Sequence, residues 1–157
     1  MKIDRLDWHI LRLLQLDATL SVQEIAEKVG LSNNPCWRRI KKLEENGVIE
    51  RRVAVVNPKA VGLNLVAFVT LRLERHNDEW FSTFAESIDL IPEIVECHRM
   101  TGDVDYLLKL ALRDLAHYDA VYQKLIGSVP GLKDVSSTFS MEQLKHRNLV
   151  DASTAIA

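Results

Sequence analysis

The sequence lacks the features that would place the chain in a membrane or outside the cell. None of its 157 residues belong to an apolar run long enough to span a bilayer, and the first residues, MKIDRLDW, do not have the charged-then-apolar pattern of a signal peptide. Cys36 and Cys97 lie far apart, so they form no disulfide framework, and neither they nor the scattered histidines show metal-ligand spacing. We therefore expect a cytoplasmic protein with no metal and no cofactor.

Excess positive charge is also missing, because the net charge is −2. Taken whole, this value argues against nucleic-acid binding, but the charge is unevenly distributed. Residues 1–52 hold ten Lys and Arg against eight Asp and Glu, whereas residues 53–157 hold ten against fourteen. Six of the ten amino-terminal cations fall within residues 38–52. The local potential at a docking face matters more than the total, so this basic segment is compatible with nucleic-acid binding.

The basic segment begins within residues 31–50, LSNNPCWRRIKKLEENGVIE, which have the pattern of a helix. Ser32 is predicted to cap the first turn through its hydroxyl, and Gly47 to end the helix in a left-handed conformation. The spacing of four and three predicts one buried apolar stripe, formed by Cys36, Ile40 and Leu43. The opposite arc is polar and cationic, with Asn34, Arg38, Lys41 and Lys42 at its centre and Trp37 and Arg39 on its shoulders.

Two shorter helices are predicted before this one. Asp4 can cap the first, which ends near Leu16, and the SVQE capping box at residues 21–24 opens the second, which stops at Gly30. A short helix, a tight glycine turn and a longer cationic helix form the helix-turn-helix pattern. Two alternatives remain at this point: an unrelated pair of antiparallel helices, and a basic arc that is only a solvated surface.

If this unit reads DNA, amide and guanidinium groups supply the base contacts, because asparagine pairs with adenine and arginine with guanine. The predicted base-contacting residues are Asn33, Asn34, Arg38 and Lys41. The predicted backbone-contacting residues are Ser21, Gln23, Arg39, Lys42 and Arg52, and the candidate surface also includes Ser32 and Trp37. Arg52 either touches a flanking phosphate or is simply solvated, and Trp37 either stacks against the DNA or packs beneath the helix.

The second half of the sequence changes from helical to mixed periodicity. Strands are predicted at residues 63–74, 94–100, 106–112 and about 135–141, and helices begin at Asp78 and Asp114. The first helix is predicted to bury Trp80, Phe81, Phe84, Ala85 and Ile88, and the second to bury Leu115, Tyr118, Val121, Tyr122 and Leu125. The order βαββαβ is that of a ferredoxin-like domain, in which helices cover one face of the sheet. The uncovered face is apolar, which favours a homodimer.

The predicted fold class is therefore α+β. Residues 1–57 form a winged-type helix-turn-helix domain whose last element is a short strand at residues 53–57. Residues 58–62, PKAVG, contain a strand-breaking proline and a glycine and are interpreted as a linker. Residues 63–147 form the ferredoxin-like domain, and residues 148–157 are expected to be a flexible tail.

Four motifs in this order resemble the Lrp/AsnC family of transcriptional regulators: LSNNPCWRRIKKLEENGVI, VNPKAVGL, HRMTGDVDYLLKL and VPGLKDVSSTFSMEQLK. The resemblance covers about residues 3–147. It implies a DNA-binding regulator with a ligand-sensing ferredoxin-like domain and dimers that commonly assemble into octamers. It also implies a small effector, usually an amino acid, that binds between sensing domains and alters assembly or DNA affinity. The operator is expected to be pseudo-palindromic double-stranded DNA.

The family's effector motif G-D-x-D-Y is similar to residues 102–106. The glycine allows close approach of a ligand, free N–H groups can hold a carboxylate, and Asp103 or Asp105 can pair with an α-ammonium. The predicted pocket comprises Met100, Thr101, Gly102, Asp103, Asp105 and Tyr106 with, from a neighbouring subunit, Ser137 and Thr138. The alternative is that Gly-Asp is ordinary turn chemistry between two strands. The carboxy-terminal motif is similar to a branch associated with sulfur amino acids.

A second class of function is kept as an alternative. Siroheme decarboxylases resemble the same family and turn this architecture into an enzyme that handles a tetrapyrrole. Such an enzyme would need histidines or arginines gathered in the pocket, whereas beside the predicted effector turn the sequence offers one adjacent basic pair, His98 and Arg99. A purely structural oligomer would leave the cationic helix without a role. The residues therefore favour a regulator without catalytic residues.

Overall fold

The computed structural model describes residues 1–74, 78–129, 131–146 and 150–152, and of residues 78–81 it describes the backbone alone. The chain divides into two compact units. Unit 1 comprises Met1–Val55 with Lys145–Ala157, and unit 2 comprises Val56–Leu144. Each unit has its own hydrophobic core. Among the described helices, none combines the length and the apolar content needed to cross a bilayer.

Unit 1 contains three helices: α1, Arg5–Leu16; α2, Val22–Val29; and α3, Asn33–Glu45. The first two begin at the predicted caps. The Asp4 carboxylate accepts from the Asp7 N–H at 2.9 Å, and the Asp7 carboxylate accepts from the Asp4 N–H at 3.1 Å. Ser21 and Glu24 form the same reciprocal pair. Gly30, at φ +73°, ends α2, and Gly47, at φ +69°, follows the last turn of α3, so both predicted stops are confirmed.

The core of unit 1 is built from one apolar stripe on each helix. Cys36, Ile40 and Leu43 of α3 are at most 3 % exposed, as their spacing predicted. They pack with buried residues of the other two helices, namely Ile10, Leu11, Leu14, Ile25, Ala26 and Val29. Full burial of each such aliphatic side chain contributes roughly 1.5–3 kcal/mol, so this small cluster holds the orientation of α3.

Two predictions in unit 1 are wrong. Ser32 occupies the N-cap position of α3, but its side chain makes no capping hydrogen bond. A cap hydroxyl accepts from the N–H two or three residues on, and the second of these donors is absent because Pro35 has no N–H. Residues 53–57 form no strand, and residues 51–56 make no backbone hydrogen bonds within the described chain. A strand requires a neighbouring strand to satisfy its backbone groups, and this segment has none among the described residues.

Unit 2 begins with a short 3₁₀ helix, Pro58–Val61, at the predicted linker. Its main elements are β1, Leu65–Leu73; α4, Asp78–Asp89; β2, Ile94–Arg99; β3, Tyr106–Leu112; α5, Leu115–Ser128; and β4, Leu132–Phe139. The four strands form one antiparallel sheet in the order β2-β3-β1-β4. This is the predicted βαββαβ arrangement, and the predicted cap of α5 is confirmed because Asp114 accepts from the His117 N–H at 2.7 Å.

The two faces of the sheet differ in burial. Alternate residues of β1 and β3 point towards the helices and are at most 8 % exposed, namely Ala67, Val69, Leu71, Leu73, Tyr106, Leu108, Leu110 and Leu112. Phe84 and Ile88 of α4 and Val121 and Leu125 of α5 complete this core. The residues between them on the strands point to the opposite face, which the helices leave uncovered. Val66, Phe68 and Leu107 on this face are only partly buried.

The predicted inward faces of the two helices need correction. Ala85 is exposed, and Leu115, in the first turn of α5, is 61 % exposed. Ser87 is buried instead, because its hydroxyl donates to the carbonyl oxygens of Thr83 at 2.8 Å and Ser128 at 3.1 Å. The side chains of Trp80 and Phe81 lie outside the described residues. In the predicted tail, Val150 forms two hydrogen bonds with the Gln15 side chain, while residues 148–149 and 153–157 lie outside the described residues.

Candidate DNA-binding surface and effector site

The polar arc of α3 contains a set of exposed side chains without partners. Asn33, Asn34, Arg38 and Lys42 are exposed, and their side chains form no hydrogen bond or ion pair within the described chain. We call these four residues the free arc. Ser32 beside them is exposed and has an uncommitted hydroxyl. Trp37 is 50 % exposed, so half of its surface remains accessible on the shoulder of the arc. The free arc carries the amide and guanidinium donors that base and phosphate recognition require.

Arg39, although adjacent in sequence, has a different role. Its Nη1 atom lies 2.7 Å from a carboxylate oxygen of Asp4 and 2.7 Å from one of Asp7, and its side chain is only 32 % exposed. The pKa of Asp4 is lowered first by the hydrogen bond from the Asp7 N–H and then by this guanidinium. Arg39 therefore connects α3 to the capping box of α1. Both contacts use the Nη1 atom, and the phosphate contact of Arg39 stays a prediction.

Two further predicted DNA contacts share one carboxylate. Glu44 lies 2.9 Å from Lys41 Nζ and 3.1 Å from Arg52 Nη2, and these cations hold its pKa below the ordinary value, Lys41 having the larger effect. Both cations are close to half exposed, so the pairs are weak and can exchange the carboxylate for another anion.

The predicted contacts from α2 are exposed but also engaged. The Ser21 hydroxyl donates to the Glu24 carboxylate at 2.7 Å and accepts from the Glu24 N–H at 3.2 Å. The Gln23 side-chain amide donates to Glu27 at 3.2 Å. The structure therefore divides the predicted DNA surface into a free group at the amino end and outer face of α3 and an engaged group around it.

Hydrogen bonds between Asp105 and β1 hold the turn between β2 and β3 in place. Gly102 adopts φ +105°, a conformation that favours glycine. Asp105 is part of the framework: its carboxylate accepts from the Leu73 N–H at 2.8 Å, and its own N–H donates to the Leu71 carbonyl at 2.9 Å. Tyr106 is 5 % exposed and packs on Phe84 with ring centroids 4.4 Å apart. Of the two candidate acids, Asp103 is the exposed one.

The remaining predicted turn residues, Met100 and Thr101, are exposed. Ser137 and Thr138 are neighbours on β4 and therefore point to opposite faces of the sheet. The Ser137 hydroxyl accepts from the Tyr118 O–H at 2.6 Å, while Thr138 lies opposite Phe68 on the uncovered face. Strand β1 separates β4 from β3, so a single subunit does not bring Ser137 and Thr138 together with the turn.

The sequence did not predict a cleft that lies between α4 and the edge of the sheet. Its volume is about 230 Å³, and it is lined by Phe84, Ala85, Ile88, Asp89, Cys97, Arg99 and Tyr106. Two patterns in the sequence indicate which side chains line this cleft. Cys97 and Arg99 alternate along β2, and Ala85, Ile88 and Asp89 have the spacing of one helix face. Burial raises the pKa of the Cys97 thiol, so this group is a neutral surface rather than a thiolate.

The adjacent Cys97 and His98 point to opposite faces of the sheet, so they do not form a nucleophile and base pair. His98 lies on the uncovered face, 3.3 Å from a carboxylate oxygen of Glu96. The described residues contain no group of three or more His, Cys, Asp or Glu side chains arranged to hold a metal ion.

A three-helix unit with a free basic arc, together with a ferredoxin-like unit, defines a DNA-binding regulator with a separate ligand-binding domain. Comparison with protein families agrees with this class. A family model described as winged helix-turn-helix DNA-binding matches residues 3–50, and one described as the Lrp/AsnC ligand binding domain matches residues 66–150. The chain belongs to the Lrp/AsnC family of transcriptional regulators.

Similar proteins are known over nearly the whole length. The DNA-binding transcriptional activator DecR of Escherichia coli K12 is 43 % identical over 144 residues, which cover 92 % of this chain and 95 % of DecR. A crystal structure of an AsnC family regulator from Agrobacterium tumefaciens is 48 % identical, with a TM-score of 0.93 over 98 % of this chain and 99 % of that one.

The structure of the regulator NMB0573 from Neisseria meningitidis, a complex with L-Met, is 31 % identical, with a TM-score of 0.91 over 99 % of this chain and 100 % of that one. The resemblance and the fold predicted from the sequence are confirmed by these matches. They give no support to the tetrapyrrole decarboxylase alternative.

Proposed function

We propose that this regulator is cytoplasmic and reads a pseudo-palindromic operator through the free arc of α3, and that a small amino acid tunes its assembly or DNA affinity. The free arc is the observation that carries this proposal. Its four side chains extend from one rigid helix, and none has to break an interaction within the described chain before it meets DNA. A helix-turn-helix protein presents the amino-terminal residues of its recognition helix to base edges, where Asn33 and Asn34 lie.

The division into free and engaged groups assigns different roles. Asn33, Asn34 and Arg38 contact bases, and Ser32 and Lys42 contact phosphates. Arg39 positions α3 through its two carboxylate contacts and is removed from the set of direct contacts. Five further residues, which lie at the margin of the surface, are retained as contacts that form when DNA approaches: Ser21, Gln23, Trp37, Lys41 and Arg52. Phosphate can replace Glu44 as the partner of Arg52, because this ion pair is close to half exposed.

A homodimer supplies the second recognition helix. The uncovered face of the sheet carries Val66, Phe68, Leu107 and Ala111, all of them partly buried in the isolated chain. An apolar surface of this kind is typical of an interface between identical subunits. Paired helix-turn-helix units read half-sites about 34 Å apart, which gives the operator its symmetry. Further assembly to an octamer is compatible with the family.

The effector part of the proposal rests on the turn and on one relative. Gly102 and the exposed Asp103 leave the tip of the turn accessible, and Asp103 replaces Asp105 as the acid that pairs with an α-ammonium. Met100 and Thr101, which are exposed in the same turn, complete the site with Ser137 and Thr138 of a neighbouring subunit. The L-Met complex of the similar NMB0573 regulator supports an amino acid, and one with sulfur fits the sequence of this branch.

Quantitative DNA binding tests the assignment of Arg38. The purified protein first selects its operator from random DNA, and binding is then measured for each single-base variant of that operator. Arg38→Ala should cost ~1–3 kcal/mol at one base position and much less elsewhere, because a bidentate contact reads one base pair. Arg12→Ala, an exposed arginine on α1, is the matched control and should leave the discrimination intact. Equal losses on every variant would assign Arg38 to the phosphates, and failure to select any sequence would overturn the proposed function.

A further inference from the structure

A cleft with a volume of about 720 Å³ lies on the outer surface of α1, within unit 1. Most of its lining comes from α1 and its cap, and the rest comes from residues 150–152 near the carboxy terminus, which we call the docked segment. The volume is within the range of roughly 300–1,000 Å³ that binding sites occupy. The protein's own chain therefore supplies one part of a cleft that is large enough to receive a partner.

The docked segment is held by one side-chain amide of α1. Gln15 Nε2 donates to the Val150 carbonyl oxygen at 3.2 Å, and Gln15 Oε1 accepts from the Val150 N–H at 2.7 Å. One side chain thus satisfies both backbone polar groups of a residue 135 positions away in sequence, which fixes the position and direction of the segment. Val150 is 61 % exposed, so these hydrogen bonds compete with water and the segment can leave α1.

The α1 side of the cleft carries a row of basic side chains. Arg5, His9 and Arg12 follow one another at spacings of four and three, and all three are exposed. None of these side chains forms a hydrogen bond or an ion pair with another residue that the structure describes. We call them the α1 row. They lie on the side of the helix opposite to the buried Ile10 and Leu14, so the row faces away from the core of unit 1.

Two acidic residues also line the described part of the cleft. The Asp4 carboxylate is already bound, because it lies 2.7 Å from Arg39 Nη1 and accepts from the Asp7 N–H at 2.9 Å. Asp151 belongs to the docked segment, so its charge is held beside the α1 row only while the segment is docked. Release of the segment therefore raises the positive potential of this face of α1.

We propose that the α1 row is a second DNA-contacting surface, which binds phosphates of a duplex, and that the docked segment competes with DNA for it. Exposed basic side chains along one helix face suit the regularly spaced charges of a phosphate backbone. The segment is autoinhibitory, because a phosphate that enters the cleft has to displace it. The α1 row and the free arc lie on different helices, so the DNA has to extend beyond the bases that α3 reads.

A double-mutant cycle on the full-length protein tests the competition, with a duplex that extends ~20 base pairs, about two helical turns, beyond each end of the operator. Gln15→Ala removes both hydrogen bonds to Val150 without changing the charge, so the Kd should fall about 3- to 10-fold, the range that one net hydrogen bond supplies. In the Arg5→Gln/Arg12→Gln background, Gln15→Ala should have no effect, because the row no longer binds phosphate. Gln123→Ala, at an exposed position of α5 outside the cleft, is the matched control and should leave the Kd unchanged.

The salt dependence of binding tests direct contact between the α1 row and phosphates. Arg5→Gln/Arg12→Gln should reduce the salt slope by about 1.8 on the extended duplex, the value for two phosphate contacts, and by less than half of that on the operator alone. Arg12→Ala lowers the affinity for every single-base variant of the operator equally, so the discrimination by Arg38 is unaffected. Deletion of residues 150–157 should lower the Kd as Gln15→Ala does, because both changes release the docked segment.

Three results would overturn the proposal. An unchanged Kd in both Gln15→Ala and the deletion variant would show that the segment does not compete with DNA. A gain in affinity that persists without the α1 row, or a salt slope that Arg5→Gln/Arg12→Gln leaves unchanged, would show that the row binds no phosphate. The proposal goes beyond the proposed function, since phosphate contacts form on any sequence and the cycle can be run on a random duplex of the same length. Failure to select an operator would therefore count against the proposed function alone.

Discussion

Unit 1 and unit 2 present their candidate functional residues in different ways. On α3 of unit 1, four polar side chains in one arc are exposed and unpaired within the described chain. In unit 2, the predicted effector residues are divided. Asp105 accepts a hydrogen bond from the backbone of β1 and Ser137 accepts one from Tyr118, whereas Asp103 is exposed in the turn. In a helix, the periodicity of the sequence determines which side chains share an exposed face. In a turn, some of the polar side chains form the hydrogen bonds that stabilise the turn.

The same contrast occurs between close neighbours in sequence. Arg38 points outward and has no side-chain partner among the described residues, whereas Arg39 binds the carboxylates of Asp4 and Asp7. Asp103 and Asp105 are two residues apart and show the same difference: Asp103 is exposed, whereas the Asp105 carboxylate accepts a hydrogen bond from the Leu73 N–H. Residue type therefore does not decide whether a polar side chain serves the fold or the ligand. The position of hydrogen-bond partners from distant parts of the chain decides it, and substitutions within each pair can test the distinction.

The largest effect is expected from Asp105→Ala. This change leaves the Leu73 N–H without its acceptor, and an unsatisfied buried donor costs about 1–3 kcal/mol of unfolding free energy. Urea unfolding measures the loss, and amide hydrogen exchange at Leu73 should become faster in the same variant. Asp103→Ala is the matched control and should change the unfolding free energy by less than about 0.5 kcal/mol, because the residue is exposed. Similar stabilities for the two variants would contradict the structural role of Asp105.

A smaller effect is expected from Arg39→Gln. The side chain of Asp7 is only 9 % exposed and loses its cation, while Arg39 itself is 32 % exposed and its contribution is reduced by solvent screening. Unfolding free energy should fall by about 1–2 kcal/mol for such a partly buried pair. Arg38→Gln, the neighbouring change, should leave stability within about 0.5 kcal/mol, because Arg38 is exposed and pairs with no other residue that the structure describes. Urea unfolding of the two variants side by side provides the measurement.

The salt dependence of DNA affinity provides a second measurement on Arg39→Gln and Arg38→Gln. If Arg39 touches no phosphate, Arg39→Gln should leave the slope of log K against log salt unchanged, whatever it does to stability. A slope reduced by about one unit with normal stability would restore the phosphate contact that the sequence predicted for Arg39.

Local patterns were sufficient to predict most of the fold. The reciprocal capping boxes at Asp4 and Ser21, the buried stripe of α3 and the strand order all depend on residues close in sequence or on simple alternation. For the cap at Ser32, the sequence already shows that Pro35 removes one of the two N–H groups that the hydroxyl could use. The strand predicted at residues 53–57 has the right composition, but no strand pairs with it among the described residues, and composition does not reveal that.

The sites were harder to predict because they depend on distant residues. The partners of Arg39 lie 32 and 35 positions away, and no spacing rule connects them. The sequence does not reveal that the register of β1 and β3 places the Asp105 carboxylate beside the Leu73 N–H. The cleft lined by Asp89 and Arg99 joins a helix end to an edge strand, so its two charges come together only in the folded unit.

The smallest expected effect separates two adjacent lysines of α3. Lys42 belongs to the free arc, so Lys42→Ala should reduce the salt slope of DNA binding by about 0.9, the value for one phosphate contact. Lys41 already lies 2.9 Å from Glu44, and Lys41→Ala removes a charge that this carboxylate partly neutralises. The salt slope should therefore change less than half as much in Lys41→Ala as in Lys42→Ala. Fluorescence anisotropy on the selected operator, measured from about 50 to 200 mM salt, compares the two variants. A larger change for Lys41 would mean that phosphate displaces Glu44 on binding, and that engaged side chains contribute to the DNA surface as much as free ones.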